Sequence, residues 1–265
     1  MRDGKDRSTI RSSVVASVAL RPAIPSSWTV DTLELRRIAE AQDDNWWYRE
    51  RRAVLTRELN LLRTWGRGPG TAVDIGAGPG DTARLLARHG WRTTAVDLSY
   101  DAVEMACARG VDCRQADARW LPLPAGSVDL ALAWDVLAHI EDDDLAAAEI
   151  ARVLRPGGTA LVAVPCDMAL WSARDLALGR VRRYTREGLA RLLAGAGLVV
   201  ERMWSWNVLL RPLARWHRHR MNGWEIRPRH PLHDRLLGAV LALEDLLPVR
   251  SWRGTTLLAR ARLPK

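Results

Sequence analysis

The chain has 265 residues, 48% hydrophobic and 27% charged, which supplies one sizeable core and excludes wholesale disorder. No apolar run approaches the ~18–20 residues of a membrane-spanning helix, and the longest, 236–247, is interrupted by Glu244 and Asp245. The formal net charge of +9 is uneven: residues 180–265 hold 18 Lys and Arg against 6 acids, residues 1–179 hold 22 against 25.

The short apolar stretch 14–20 closes at Arg21 without a cleavage pattern, so it is not read as a secretory signal. Cys107, Cys113 and Cys166 stand at no paired or metal-ligand spacing. These features predict a soluble, cytoplasmic protein that holds no metal.

Residues 1–30 are polar, Ser- and Arg-rich and interrupted by Pro22 and Pro25, which predicts a mobile tail. From 31 to 65, Leu33, Leu35 and Ile38, then Val54, Leu55, Leu59 and Leu62, fall at helical spacing and predict two helices. Short β-rich runs then stand at 71–75, 93–97, 111–115, 128–134, 159–164 and 198–204. Helical stretches alternate with them at 81–89, 100–109, 142–154 and 186–195. This alternation predicts a parallel sheet with helices on both faces. The pattern lapses after Trp206, and a last strand at 255–263 closes the chain. The units expected are a tail (1–30), a helical lid (31–66), a core (67–206, completed by 254–265) and a basic cap (207–253).

Residues 73–81 read Val-Asp-Ile-Gly-Ala-Gly-Pro-Gly-Asp at a strand-to-helix junction, the context in which a glycine loop binds a nucleotide. Gly76 and Gly78 permit a sharp turn and close approach to a ligand. Asp97 ends the second strand, 21 residues past Gly76, at the spacing where a carboxylate accepts both ribose hydroxyls. Asp81 occupies the last glycine position of a dinucleotide loop. With Asp74 it would repel a pyrophosphate and suit a ligand with a cationic end. The plainer alternative is a tight turn followed by an incidental acid.

In these residues the sequence resembles the class I S-adenosylmethionine-dependent methyltransferases. Residues 73–80 are similar to their first motif, Ala95-Val-Asp-Leu-Ser99 to their ribose motif and Ala116-Asp-Ala118 to their adenine segment. Residues 127–135 resemble the fourth strand, and 154–158 the turn before the fifth. The resemblance implies a Rossmann-like α/β fold. Its sheet has seven mostly parallel strands with helices on both faces and the last strand antiparallel. It also implies S-adenosylmethionine as methyl donor and S-adenosylhomocysteine as product. Asp74, Gly76, Ala77, Gly78 and Gly80 would form the loop, with Asp97 and Leu98 at the ribose. Asp117 and Ala118 would meet the adenine, and Trp134 would stand at the end of the fourth strand. Residues 45–52, 179–185 and 254–258 resemble small-molecule enzymes of the ubiquinone/menaquinone-biosynthesis type. Arg180 departs from that pattern, standing where such relatives often carry His, so a base role there does not transfer.

Methyl transfer requires an aligned acceptor and, where the acceptor's pKa demands it, a base. His139 is the candidate base; alternatively it orders the loop by bonding the acids at 141–144. Asp135 would orient His139 or bind acceptor hydroxyls, or else cap a helix. The acids at 141–144 suit a helix start better than a metal. Trp47, Tyr48 and Arg51 form an aromatic–basic lid, or a helix packed on the sheet. Arg183 and Tyr184 would bind an anionic acceptor, or simply flank the next helix. The segment 211–235 carries seven Arg, four His and two Trp. It is read as a cap over a small-molecule acceptor, in preference to peripheral membrane contact or a nucleic-acid surface. The run after the fourth strand, Asp-Val-Leu-Ala, lacks the Pro-Pro-aromatic pattern of enzymes that methylate nucleic-acid bases. The acceptor expected is a hydroxyl of a secondary metabolite, sugar or quinone-like compound. A non-catalytic cofactor-binding relative is the competing reading.

Overall fold

The computed structural model describes residues 32–220 and 231–265. The expected tail and positions 221–230 of the basic segment lie outside them. Seven strands form one sheet: β1 (Thr71–Ile75), β2 (Arg92–Asp97), β3 (Asp112–Gln115), β4 (Val128–Trp134), β5 (Leu154–Pro165), β6 (Val199–Trp206) and β7 (Thr256–Arg262). Their order is β3-β2-β1-β4-β5-β7-β6. Only β7 runs against its neighbours. The order reverses between β1 and β4, so the C-terminal ends of those strands flank the crevice where open α/β sheets bind ligands.

Helices cover both faces, which is why the central strands read as unbroken apolar runs. They are α1 (Thr32–Asp44), α2 (Trp46–Thr64), α3 (Asp81–Arg88), α4 (Tyr100–Ala108), α5 (Asp143–Val153), α6 (Ala173–Ala177), α7 (Arg186–Gly195), α8 (Arg211–Arg220) and α9 (Pro231–Leu246). On one face Leu130, Leu132 and Leu161 pack against Leu55, Leu59 and Leu62 of α2. On the other, Ile75, Ala131 and Val162 meet Ile150 of α5 and Leu189 and Leu193 of α7. Each fully buried leucine contributes about 1.5–3 kcal/mol. A buried ion pair, Arg260 Nη1 to Glu58 at 2.5 Å, fastens α2 to β7. The N-terminal helices are therefore part of the body that frames the crevice.

Three expectations are corrected here. The turn expected at 154–158 is the first part of β5: Leu154 pairs with Val128, and the register shifts before Leu130 pairs with Thr159. A bulge thus hides a longer strand behind turn residues. Helices α6 and α8 fall where the sequence showed no regular pattern. Cys107 and Cys113 stand side by side, with Cα atoms 5.8 Å apart. The tight turn at Gly110 lays the end of α4 against β3, so cysteines six residues apart meet without any recognisable spacing motif. No helix among the described residues is long and apolar enough to cross a membrane.

Candidate functional site

A cavity of about 1040 Å³ opens at the switch point, bordered by the ends of β1, β2 and β4 and by α1, α2, α8 and α9. Its first end is built from the glycine loop. Gly76 has φ +69°, and a Cβ there would lie 2.5 Å from the Val136 side chain. Gly78 has φ +53° with nothing within 4 Å of its missing Cβ. Gly78 and Ala77 border the cavity, whereas Gly80, with φ +87°, sits behind as the N-cap of α3.

Asp97 Oδ2 accepts the Gly78 N–H at 2.8 Å, and Oδ1 accepts the Ser99 N–H at 2.9 Å. Burial raises the Asp97 pKa, and these two hydrogen bonds oppose the rise. Each oxygen keeps a lone pair for a further donor. Asp74 is fully buried beneath the loop and does not border the cavity. Its Oδ2 accepts the Thr82 hydroxyl at 2.5 Å, while Oδ1 has no partner. Burial pushes its pKa up to about 7, reinforced by Asp97 and Asp81. Leu98, Asp117 and Ala118 also border the cavity. Both oxygens of Asp117 take the guanidinium of Arg119, the shortest contact being 2.8 Å. The sequence had not singled out Arg119.

The other end is aromatic and charged. The Arg51 guanidinium carbon lies 5.2, 5.7 and 5.9 Å from the ring centroids of Trp134, Trp47 and Trp206. Its Nη2 is 2.6 Å from Asp135 Oδ2. Burial lowers the Arg51 pKa, and Asp135 opposes this. Asp135 is held at φ 70°, a conformation that costs about 1–3 kcal/mol outside glycine. Tyr48 borders the cavity beside Trp47, while Trp46 is core. The aromatic–basic segment therefore packs on the sheet and also lines the cavity.

His139 ends a 3₁₀ turn (Leu137–His139) and borders the cavity. Burial, then the charge of Arg180, pushes its pKa down to about 4, against the opposing influence of Asp135 and of the backbone at Gly179 and Leu178. Two of the acids expected as its partners are engaged elsewhere. Asp143 meets Arg182 at 2.7 Å and the Tyr184 hydroxyl at 2.6 Å, and Asp142 meets Arg119 at 2.7 Å. Tyr184, expected at the acceptor, is core: its ring packs beneath the sheet end and does not reach the cavity wall. Its apolar ring is buried while the hydroxyl finds polar partners in Asp143 and the Leu137 carbonyl. Arg183 does border the cavity and holds Asp175 at 2.7 Å. No group of three or more His, Cys, Asp or Glu among the described residues converges on a metal position.

The sheet order, the glycine turn after β1 and the carboxylate closing β2 make this a Rossmann-like α/β protein with its cavity at the switch point. Residues 73–162 match the family model described as a methyltransferase domain. A probable S-adenosylmethionine-dependent methyltransferase of Mycolicibacterium smegmatis is 33% identical over 172 residues, covering 63% of this chain and 64% of that protein. The ubiquinone/menaquinone biosynthesis C-methyltransferase UbiE of Rubrivivax gelatinosus is 37% identical over 102 residues, covering 37% and 41%. A phosphoethanolamine N-methyltransferase of Haemonchus contortus, solved with S-adenosyl-L-methionine, shares the fold with a TM-score of 0.61 at 18% identity, covering 89% of this chain and 58% of that one. Residues 73–162 form a methyltransferase domain, and the chain is similar to S-adenosylmethionine-dependent methyltransferases. It spans about three fifths of the length of the first curated relatives it matches.

Proposed function

We propose that the chain transfers a methyl group from S-adenosylmethionine to a small-molecule acceptor, at a hydroxyl oxygen. The observation that carries this reading is Asp97: a buried carboxylate, fixed by two backbone amides, with lone pairs left at the cavity mouth. The open space at Gly78 fits the same ligand, an amino acid joined to a nucleoside. When bound, S-adenosylmethionine supplies a methyl group on a positively charged sulfur. Asp97 would hold the ribose hydroxyls, and Leu98 and Ala118 would border the base. The indoles of Trp47, Trp134 and Trp206 keep water from Arg51, which orients the Asp135 carboxylate. His139, neutral at pH 7, would accept the acceptor's proton on an imidazole nitrogen. The basic segment serves as a cap, and its α8 borders the cavity.

Calorimetry with S-adenosylmethionine tests this directly. Asp97→Ala should weaken binding by about 1.5–3 kcal/mol, the worth of hydrogen bonds to a charged group. Binding of NADH in place of S-adenosylmethionine overturns the assignment. The carbon chemical shift of the transferred methyl separates an O-methyl from a C-methyl outcome.

A further inference from the structure

At the acceptor end three arginines converge on one carboxylate. Asp175, on α6, is fully buried and does not border the cavity. Its Oδ1 accepts from Arg183 Nη2 at 2.7 Å and Arg180 Nη1 at 3.0 Å, and its Oδ2 from Arg218 Nη1 at 3.3 Å. All three arginines border the cavity, so their guanidiniums stand between Asp175 and the open space. They come from the loop after α6 and from α8, two stretches that meet only in the folded chain.

The charges do not balance. Asp175 offsets one of the three cations, while Asp135 is already paired with Arg51 and Asp167 with Arg211. Two positive charges remain at the wall. The Arg183 side chain is 1% exposed, and the Nε atoms of Arg180, Arg183 and Arg218 are buried without a hydrogen-bond partner. A solvated basic face would have neither feature. Burial, then repulsion from Arg183, brings the Arg218 pKa down to about 10. Surplus cations out of water cost free energy unless an anion neutralises them. Guanidinium forks match the paired oxygens of phosphate and carboxylate. Leu210, Leu213 and Ala214 by α8 and Leu236 and Leu237 on α9 continue the same wall as an apolar surface.

We propose that Arg180, Arg183 and Arg218 bind an oxyanion on the acceptor, a phosphate or carboxylate, and that its apolar body lies along α8 and α9. The word acceptor rests on the methyltransferase reading; the anion site does not.

The test is calorimetry on the full chain at constant ionic strength, with and without saturating S-adenosylhomocysteine. The probes are decyl phosphate, decanoate, decanol and inorganic phosphate. Decyl phosphate or decanoate should bind at least about tenfold more tightly than decanol, the scale of one charge-assisted hydrogen bond. Whichever of the two binds more tightly identifies the oxyanion. R218Q and R180Q, both at the cavity wall, should each weaken that ligand by about tenfold or more while decanol and S-adenosylhomocysteine bind as before. R155Q, an exposed site paired with Asp129 at 2.8 Å and away from the cavity, should change nothing. Equal affinity for decanol and both anions overturns the proposal, as does unchanged anion binding in R218Q and R180Q. Inorganic phosphate binding as tightly as decyl phosphate removes the apolar half. Failure of S-adenosylhomocysteine to bind the unmodified chain instead overturns the methyltransferase reading, and the titrations without it still decide the anion site.

Discussion

The two ends of the cavity are made differently. At the cofactor end the wall is largely main chain: glycines at positive φ, the Gly78 and Ser99 amides, and one carboxylate they hold, all within residues 73–99. At the acceptor end the wall is side chain. Arg51 of α2 meets Asp135 after β4, and Asp175 of α6 meets Arg218 of α8, 43 residues further on. A main-chain site demands certain residue types at fixed spacing, because only glycine tolerates the turn. A side-chain site demands only that charges meet, and any element can deliver them. One end is thus specified locally, and the other by tertiary packing.

The largest expected effect probes whether the acceptor end does chemistry. His139→Ala should lower kcat by about 10²–10⁴, the usual contribution of a general base. Affinity for S-adenosylmethionine should stay as it was, because His139 follows β4, whereas the glycine loop and Asp97 belong to β1 and β2. Unchanged turnover would assign His139 to packing and leave positioning as the source of catalysis.

A contrast between two glycines sharpens the main-chain side. Alanine at Gly76 would bring a methyl to 2.5 Å from Val136 on a backbone already at φ +69°. Gly76→Ala should destabilise the fold by about 2–4 kcal/mol, overpacking added to backbone strain. Gly78→Ala meets nothing within 4 Å, so its cost to the fold is backbone strain alone, about 1–2 kcal/mol. Its methyl would project into the cavity, so cofactor affinity should fall. Thermal denaturation alongside calorimetry separates the two; equal losses of stability would mean that Gly78 does not face a ligand.

This difference also explains what could be read in advance. Alternation of apolar runs and helical stretches placed β1, β2 and β4 almost to the residue, and the glycine loop and Asp97, singled out by their spacing, meet at the Gly78 amide. The acceptor end was legible only in pieces. Arg183 was found because it flanks a strand, but its partner Asp175 sits in a five-residue helix too short to show a period. Arg180 was noticed only as a departure, and Arg218 was one arginine among seven in the basic segment. Nothing local separates a buried arginine from a solvated one. Tyr184 was misplaced for the same reason: its position after β5 is right for the cleft, but its side chain turns into the core.

A pH titration sets one titrating group from each end against the other. His139 binds its proton with a pKa of about 4 in the fold, against 6.5 when exposed. Between those values the unfolded chain holds more proton, so this group lowers stability as pH falls below 6.5. The loss is about 2 kcal/mol at pH 5. Asp74 has the opposite sign. Its pKa is about 7 in the fold against 3.8 when exposed, so the folded chain holds the extra proton and stability rises as pH falls from 7 towards 4. From pH 7 to 5 that gain is also about 2 kcal/mol, so the two nearly cancel in the unmodified chain. Single substitutions expose each. His139→Gln should be more stable at pH 5 than at pH 7, and Asp74→Asn less stable, each by about 2 kcal/mol relative to the unmodified chain in urea denaturation. A His139→Gln profile parallel to that of the unmodified chain would mean that the imidazole is as solvated in the fold as in the unfolded chain. The acceptor end would then have no buried neutral base.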